Sequence, residues 1–465
     1  MPTLLAIYLS LLSLSILVLM IVQFVRRQVE LLSIRNFFLL GLIVFQLTSA
    51  IPPIVTQTNN RYSLQNWTSA GFQFSVMASI FLALFFLFYR WGPGAKQLAR
   101  LVPTTRVVPP EPLLFFLAIA LTVAAFVGRV GVEIPNNTVS ALFGKVALAF
   151  AAMACGMAGW IWAPRLFNPI IAIFAAGIVV VNLGLVLSET FGRRPLVAIG
   201  AALLWGMYYS YWRNLKFTQV APRLALIAIP PVVLLAAFTS VRESQQRLAL
   251  GQRVSQLTNT SNLDEGFLDL LSGQNCAPTS MWLIDNYPER FEYRHLMTIK
   301  YFFMLPIPRA IWHEKPEPLS TEIASKARIQ GVRQDELKIG PGVVGHAAAE
   351  GGWYALVIYG VVAGLFIRFF DELVRLKPWN PYIVLPIGSA MGQVVGLPRG
   401  DAAVFGANYV AAVLGAYLSI LVIAKVLGAA GLGRVEDEVI GHAPAEDGYS
   451  EDGADADEYA DAAHA

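Results

Sequence analysis

Apolar runs long enough to cross a bilayer recur along most of the chain and are separated by short polar loops. A transmembrane helix needs about 20 mostly apolar residues, because hydrocarbon offers backbone amides no partner outside their own helix or barrel. The pattern therefore predicts an all-α, polytopic integral membrane protein with about eleven transmembrane helices. The predicted spans are Leu4–Phe24, Phe37–Ile54, Phe74–Phe88, Leu113–Val127, Ala141–Trp162, Pro169–Leu187, Leu196–Tyr211, Leu224–Phe238, Tyr354–Phe370, Ile383–Val395 and Val404–Val426.

One long polar stretch, Ser240–Gly352, interrupts this pattern between the eighth and ninth predicted spans. Within it, the apolar segment Tyr301–Trp312 is too short to cross a bilayer, and Pro306 and Pro308 would break a helix. Its aromatic side chains are of the kind found at the membrane–water boundary. We therefore predict one large loop that contains short re-entrant or interfacial segments.

Four regions follow from this reading of the chain. They are an N-terminal transmembrane bundle (1–239), the large loop (240–352), the C-terminal transmembrane helices (353–430) and an acidic tail (431–465). The tail is rich in Ala, Asp, Glu and Gly and has almost no large apolar side chains, so it is predicted to be disordered.

Composition agrees with the membrane class and narrows the chemistry. Hydrophobic residues make up 56% of the chain and charged residues 14%, whereas soluble domains carry about 25% charged residues. The sequence has no His-Glu-x-x-His motif, no paired cysteine motif and no phosphate-binding glycine loop. We expect no metal, no other cofactor and no nucleic-acid partner.

Basic loops predict the orientation of the chain in the membrane. Arg26 and Arg27 follow the first span, and basic loops also follow the third, fifth, seventh and ninth spans. Since cytoplasmic loops carry the excess of Lys and Arg, the N-terminus and the large loop are predicted outside and the C-terminus inside. Arg193 and Arg194 oppose this rule. They are either a tolerated exception or part of an anion-binding site.

Arginines at the outer ends of spans are the main candidates for binding a phosphorylated ligand. Arg309 would lie at headgroup depth, where a planar guanidinium can bind two phosphate oxygens together. The alternative is an ordinary arginine that extends to the interface. Arg129, Arg193, Arg194 and Arg399 also lie at span ends on the predicted outer side. As a set they suit a diphosphate leaving group, although each alone would serve as a boundary anchor.

Five residues are candidates for acid–base chemistry on a hydroxyl: His313, Glu314, His346, Glu350 and Asp401. Each of them could equally be an ordinary solvated side chain. His346 and Glu350 are four residues apart, so they share one face if a helix begins this early, whereas Gly351 and Gly352 just before Tyr354 indicate instead that a turn ends there.

Several stretches of the loop and its neighbours resemble one family. The stretch Pro306-Ile-Pro-Arg-Ala-Ile-Trp-His-Glu-Lys-Pro316 resembles the Pro-Arg-x-x-Trp-x-x-Lys-Pro element of bacterial oligosaccharide repeat-unit polymerases, the Wzy-type polymerases of O-antigens and exopolysaccharides. Thr279–Pro288, Phe291–Tyr293 and Phe191–Arg194 look similar to neighbouring elements of that family. Gly345–Gly352 departs from it, because His346 stands where relatives often have an acid and Glu350 where they often have Asn.

The resemblance implies a multi-pass glycosyltransferase of the bacterial inner membrane with its loop in the periplasm. It would polymerise undecaprenyl-diphosphate-linked oligosaccharides, with membrane lipids, a flippase and a chain-length regulator as further partners. Diphosphate binding would fall to Arg309, Arg193 and Arg399, assisted by Arg194 and Arg129. Glu350 or His346 would activate the acceptor hydroxyl, and Trp312 and Lys315 would shape the acceptor groove.

Two alternatives stay open at this point. An O-antigen-type ligase would use the same lipid donor with a different acceptor. A transporter or flippase for the lipid-linked unit would need a large charged cavity inside the bundle and related halves, and the sequence has no sign of either.

Overall fold

The computed structural model describes residues 1–103, 107–108, 110–131, 137–189, 194–241, 264, 266, 276–309, 311–327, 339–429 and 434–435. Nearly all regular structure in these ranges is helical, as the hydropathy pattern predicts. The helices are α1 (Pro2–Val25), α2 (Ile34–Leu42), α3 (Ser49–Thr56), α4 (Trp67–Trp91), α5 (Ala95–Leu101), α6 (Glu111–Phe126), α7 (Asn137–Trp162), α8 (Pro169–Glu189), α9 (Arg194–Ser210), α10 (Phe217–Val241), α11 (Cys276–Asn286), α12 (Met297–Met304), α13 (Leu319–Lys326), α14 (Gly342–Glu350), α15 (Trp353–Leu376), α16 (Pro381–Ser389), α17 (Met391–Gly396) and α18 (Ala402–Ala429).

Short π- and 3₁₀-helical turns and one small ladder complete the regular structure. Ile43–Thr48 and Val127–Gly131 are π-helical, and Ala163–Arg165 and Trp212–Asn214 are 3₁₀ turns. Strands β1 (Val107–Val108) and β2 (Arg434–Val435) pair antiparallel. Apart from β2, the tail that was predicted to be disordered lies outside the described residues.

Within the described residues, nine helices are long and apolar enough to cross a membrane. The all-α, polytopic membrane class is therefore confirmed, and the count of eleven spans stays a prediction. The second span runs from α2 to α3 through the π-helical turn that carries Gln46. The predicted tenth span is broken at Ala390 into α16 and α17. A hydropathy average over the whole run does not locate such a break, because apolar residues lie on both sides of Ala390.

The helices of the large loop pack into the same hydrophobic core as the spans. Met281 of α11 and Val344 of α14 belong to one buried cluster with Leu9, Phe38 and Phe81 of α1, α2 and α4. Burying apolar surface in a shared core couples the stability of its members. The described part of the loop is therefore docked on the bundle.

Glycines set the packing of the second half of the bundle. A methyl group at Gly206 of α9 would stand 2.0 Å from the carbonyl oxygen of Gly156 in α7, and one at Gly159 would stand 2.5 Å from that of Leu203. Only residues without a side chain allow two helix backbones to approach this closely. Since Gly156 also faces Ala202, α7 and α9 run parallel, and Arg194 begins α9 at the end where α7 begins.

An ionic network fixes the bundle at the far end of α15. Asp371 accepts hydrogen bonds from the backbone N–H groups of Ile34 (2.7 Å) and Arg35 (3.1 Å) and from the Tyr89 hydroxyl (2.8 Å). Arg368 pairs with Glu372 at 2.5 Å on the same helix. A carboxylate at the exposed N–H groups of a helix start is stabilising, so Asp371 anchors the start of α2.

Candidate functional site

A buried polar network lies where α12, α14, α15 and α18 meet. We call Thr298, His346, Glu350 and Tyr359 the carboxylate network. α14 places His346 and Glu350 one turn apart on a common face, which is the helical one of the two alternatives that the sequence left open, and both side chains are almost fully buried. The helix ends at Gly351 and Gly352, whose φ angles of 158° and 62° suit glycine, and α15 begins at Trp353. The predicted turn before the ninth span is thus confirmed.

Glu350 accepts hydrogen bonds at every position that its carboxylate offers. One oxygen accepts from the Thr298 hydroxyl (2.5 Å) and lies 3.3 Å from His346 Nδ1. The other accepts from the Thr298 backbone N–H (2.8 Å) and from the Tyr359 hydroxyl. Burial raises the pKa of Glu350, but these hydrogen bonds outweigh burial and hold the pKa below its ordinary value. Glu350 is therefore an ionised, fully paired carboxylate.

The hydrogen bonds of His346 determine which ring nitrogen carries the proton. Its Nε2 accepts from the backbone N–H of Ala402 (3.2 Å), so the neutral ring is protonated at Nδ1. That nitrogen lies 2.6 Å from the Thr298 hydroxyl oxygen, which in turn donates to Glu350. His346 thus connects the first residue of α18 to the carboxylate network.

Two arginines lie at the start of α18. The Arg194 guanidinium lies 3.8 Å from the centre of the Phe405 ring, and the Arg399 guanidinium lies 5.3 Å from that of Phe45. The Phe405 ring in turn fills the space beside Gly396 and Gly400, where an added methyl group would stand 1.9 Å from it. Arg399 therefore lies in the turn that leads into α18, and Arg194, at the start of α9, packs against the first turn of α18.

Two further cations meet at Tyr301 on α12. Arg309 lies close enough to the Tyr301 hydroxyl to act on it electrostatically, and the Lys315 ammonium lies 5.3 Å from the centre of the Tyr301 ring. Burial raises the pKa of Tyr301, and the neighbouring Arg309 opposes this rise. Asp401, which caps α18 by accepting from the Val404 N–H at 3.3 Å, also acts on Tyr301 electrostatically. We call Arg194, Arg309, Lys315 and Arg399 the cationic rim.

A polar clamp from the second span holds the loop against this turn. The Gln46 side-chain amide donates to Cys276 Sγ and to the Pro398 carbonyl oxygen, both at 2.9 Å, and Ser280 donates to the Pro341 carbonyl oxygen at 2.6 Å. Burial raises the pKa of the Cys276 thiol to about 12. Cys276 is therefore an uncharged packing residue rather than a nucleophile.

The structure brings together only some of the residues that the sequence singled out. Arg194, Arg309, Arg399 and Lys315 lie in the cationic rim, and His346 and Glu350 lie in the carboxylate network. Arg129 lies elsewhere, against α7, because a methyl group at Gly144 would stand 2.5 Å from its Nη1. Arg193 lies outside the described residues.

The remaining candidates have simpler surroundings. His313 and Glu314 are exposed, and Trp312 is half-buried in a turn in which its backbone N–H donates to the Pro308 carbonyl oxygen at 3.1 Å. Asp401 is buried and accepts hydrogen bonds from the backbone N–H groups of Ser320 and Val404, so it caps α18.

Sequence reasoning missed Thr298, Tyr301, Tyr359, Glu317 and Gln46. Thr298 meets Glu350 across 52 residues and Gln46 meets Cys276 across 230, and no local pattern marks such pairs. Glu317 could have been predicted as a partner of Arg309 from the sequence. It follows Lys315 by only two residues, and its negative charge is opposite to that of Arg309 and Lys315.

Among the described residues, no group of three or more His, Cys, Asp or Glu side chains is suited to hold a metal ion. No family model, no curated protein and no solved structure matches this chain.

Proposed function

We propose that the protein is a membrane glycosyltransferase that polymerises undecaprenyl-diphosphate-linked oligosaccharide repeat units on the periplasmic face of the bacterial inner membrane. The observation that carries the proposal is the placement of Arg194 against Phe405 in the first turn of α18 and of Arg399 just before that helix, with Arg309 on the loop after α12 beside Tyr301. Guanidinium groups bind phosphate oxygens in pairs, and the positive end of a long helix adds to the same field.

In the proposed reaction, a sugar hydroxyl of one lipid-linked unit attacks the anomeric carbon of the glycan on another. The new glycosidic bond forms as the bond to the phosphate oxygen breaks, and the electron pair leaves with the undecaprenyl diphosphate. The hydroxyl proton is released to solvent water as the bond forms, so the products are the lengthened glycan, the free undecaprenyl diphosphate and one proton. The cationic rim would stabilise the charge that develops on the leaving diphosphate, which is the largest electrostatic change in the step.

The carboxylate network has a positioning role in this proposal. Each Glu350 oxygen already has two hydrogen-bond partners, and both ring nitrogens of His346 are engaged. The prediction that either residue deprotonates the acceptor would require one of these bonds to open. As arranged, the carboxylate network fixes α12, α14 and α15 against the start of α18. It thereby fixes the position of Tyr301 and of the cationic rim.

The placement of buried charge favours this proposal over an ion-coupled transporter. Within the described spans, the buried ionised residues Arg35 and Glu372 lie close to the ends of α2 and α15. Proton and ion pathways usually need ionisable groups deep within the bundle.

The proposal predicts that Arg309→Ala and Arg399→Ala abolish long glycan chains while the protein still inserts into the membrane. Losing a charge-assisted contact to a leaving group costs about 2–4 kcal/mol, which corresponds to roughly 30- to 1,000-fold in rate. The measurement is the chain-length ladder on gels, together with the amount of single lipid-linked repeats, in cells that carry each variant in place of the wild type.

The matched control is Arg165→Ala, which removes an arginine from the other end of α7. Its ion pair with Glu111 (2.6 Å) is about half exposed, so the loss should leave the ladder unchanged. A ladder of normal length from Arg309→Ala would refute the proposal. Glycan transferred to a different acceptor, with none left on the polyprenyl carrier, would instead identify a ligase.

A further inference from the structure

Lys315 is a cation that has no carboxylate partner among the residues that the structure describes. Its side chain is only 7% exposed, and its ammonium group donates to the carbonyl oxygens of Leu305 and Ile307, both at 3.0 Å. No carboxylate among the described residues lies within ion-pair distance of it. Burial lowers the pKa of Lys315, and the positive charge of Arg309 lowers it further. The two carbonyl oxygens satisfy hydrogen bonds of the ammonium but do not neutralise its charge, so an anion beside it would be bound favourably.

Arg309, the nearest other cation, is held by a carboxylate from its own loop. Its Nη2 lies 2.7 Å from Glu317 Oε1, and both side chains are about half exposed. Exposed ion pairs of this kind contribute little to stability, roughly 0–1 kcal/mol, so the pair can open at little cost. Glu317 therefore binds one nitrogen of the Arg309 guanidinium, and this guanidinium is accessible from solvent.

The surface beside these two cations is apolar. Phe303 and Ile311 are 72% and 77% exposed, and Ile307 between them is also exposed. All three lie within eight residues of Arg309 in the chain, on the same segment. A ligand that combines a phosphate with a long hydrocarbon chain would engage both the cations and these exposed apolar side chains.

We propose that Arg309, Lys315 and Tyr301 bind one phosphate group of a polyprenyl diphosphate, and that Glu317 is a built-in competitor that leaves Arg309 when this phosphate binds. This inference rests on the proposed function and assigns Lys315 to the phosphate, where the sequence suggested the acceptor groove. It also gives Glu317 a role: in the unloaded protein Glu317 neutralises Arg309, so other anions are bound less readily.

The test is the affinity of the purified full-length protein for farnesyl diphosphate in detergent micelles, measured by calorimetry. Removing the competitor in Glu317→Gln should tighten binding several-fold. Lys315→Met and Arg309→Ala should each weaken it about tenfold or more, the effect of one charge-assisted contact of about 1.4 kcal/mol. Thermal unfolding of each variant confirms that it is folded.

Glu314→Gln is the matched control. It removes the same charge three residues earlier, and Glu314 has no ion-pair partner among the described residues. If Glu317→Gln binds no more tightly than Glu314→Gln, the competitor role is overturned, and equal affinity for inorganic and farnesyl diphosphate would overturn the lipid assignment. The binding assay requires no polymerisation, so these outcomes are separate from the chain-length result that decides the proposed function.

Discussion

At the scale of single residues, Glu350 shows how far the sequence alone can lead. Its spacing from His346 predicts a shared helix face, and the two side chains do lie together. What the spacing could not supply is Thr298 from α12 and Tyr359 from α15, which complete the hydrogen bonds of the carboxylate. With these partners, Glu350 holds neighbouring helices together and is not free to act as a base. A buried carboxylate that accepts from four donors has no vacant lone pair.

The saturation of Glu350 predicts a stability effect. Glu350→Gln places an amide N–H₂ opposite groups that already donate, so a buried donor loses its acceptor, at about 1–3 kcal/mol. We expect a clear fall in melting temperature in detergent, measured by differential scanning fluorimetry. The exposed Glu111→Gln change, which affects only the pair with Arg165, should have almost no effect.

The same group predicts a pH dependence whose sign follows from its pKa. The folded-state pKa of Glu350 lies below the ordinary value of 4.5, so its contribution to stability is present above pH 4.5 and is lost as the pH falls through the folded pKa. The difference in melting temperature between wild type and Glu350→Gln should therefore be largest near neutral pH and shrink at acidic pH. A constant difference from pH 7 to pH 3 would contradict this.

At the scale of helices, hydropathy located nearly every span but not the pairings between them. Each predicted span corresponds to a helix, or to two helices in the case of α2–α3 and α16–α17. Which helices pack against each other depends on how closely their backbones can approach. The decisive positions are glycines such as Gly156 and Gly206, which a hydropathy profile does not distinguish. The π-helical turn around Gln46 is likewise invisible to hydropathy, because it depends on contacts to Cys276 and Pro398.

Glycine packing makes a prediction for the pair of α7 and α9. Gly206→Ala would force the two backbones apart, because the new methyl group meets the Gly156 carbonyl oxygen. We expect a loss of about 1–3 kcal/mol or more, seen as a lower melting temperature and less protein in the membrane fraction. Gly177→Ala in α8 is the control: a methyl group there meets nothing within 4 Å, and alanine favours helix, so stability should be unchanged or slightly higher.

At the scale of the whole molecule, composition and run length were sufficient for the membrane class, and the loop was the part that could not be foreseen. The sequence separates residues 240–352 as a region of their own, whereas the described loop helices share one core with α1, α2 and α4. Polar composition marks where the loop begins and ends along the chain. It does not show that Met281 and Val344 pack into a core formed by distant spans.

The predicted orientation can be tested on intact cells. His313 and Lys96 are both exposed, and the charge pattern predicts His313 outside and Lys96 inside. A membrane-impermeant maleimide should label His313→Cys in intact cells and Lys96→Cys only after permeabilisation. The native Cys155 and Cys276 are buried and should give little background. Labelling in the reverse order would invert the topology and place the cationic rim on the cytosolic side.

The Gln46 clamp also bears on the order in which the protein assembles during synthesis. Gln46 leaves the ribosome 230 residues before Cys276, so the receiving surface of the bundle is already inserted when the loop emerges. Pro398, the other acceptor of the Gln46 amide, arrives last. The Gln46 amide therefore has neither of these two acceptors until the later segments are made, and the Pro398 carbonyl oxygen completes the pair.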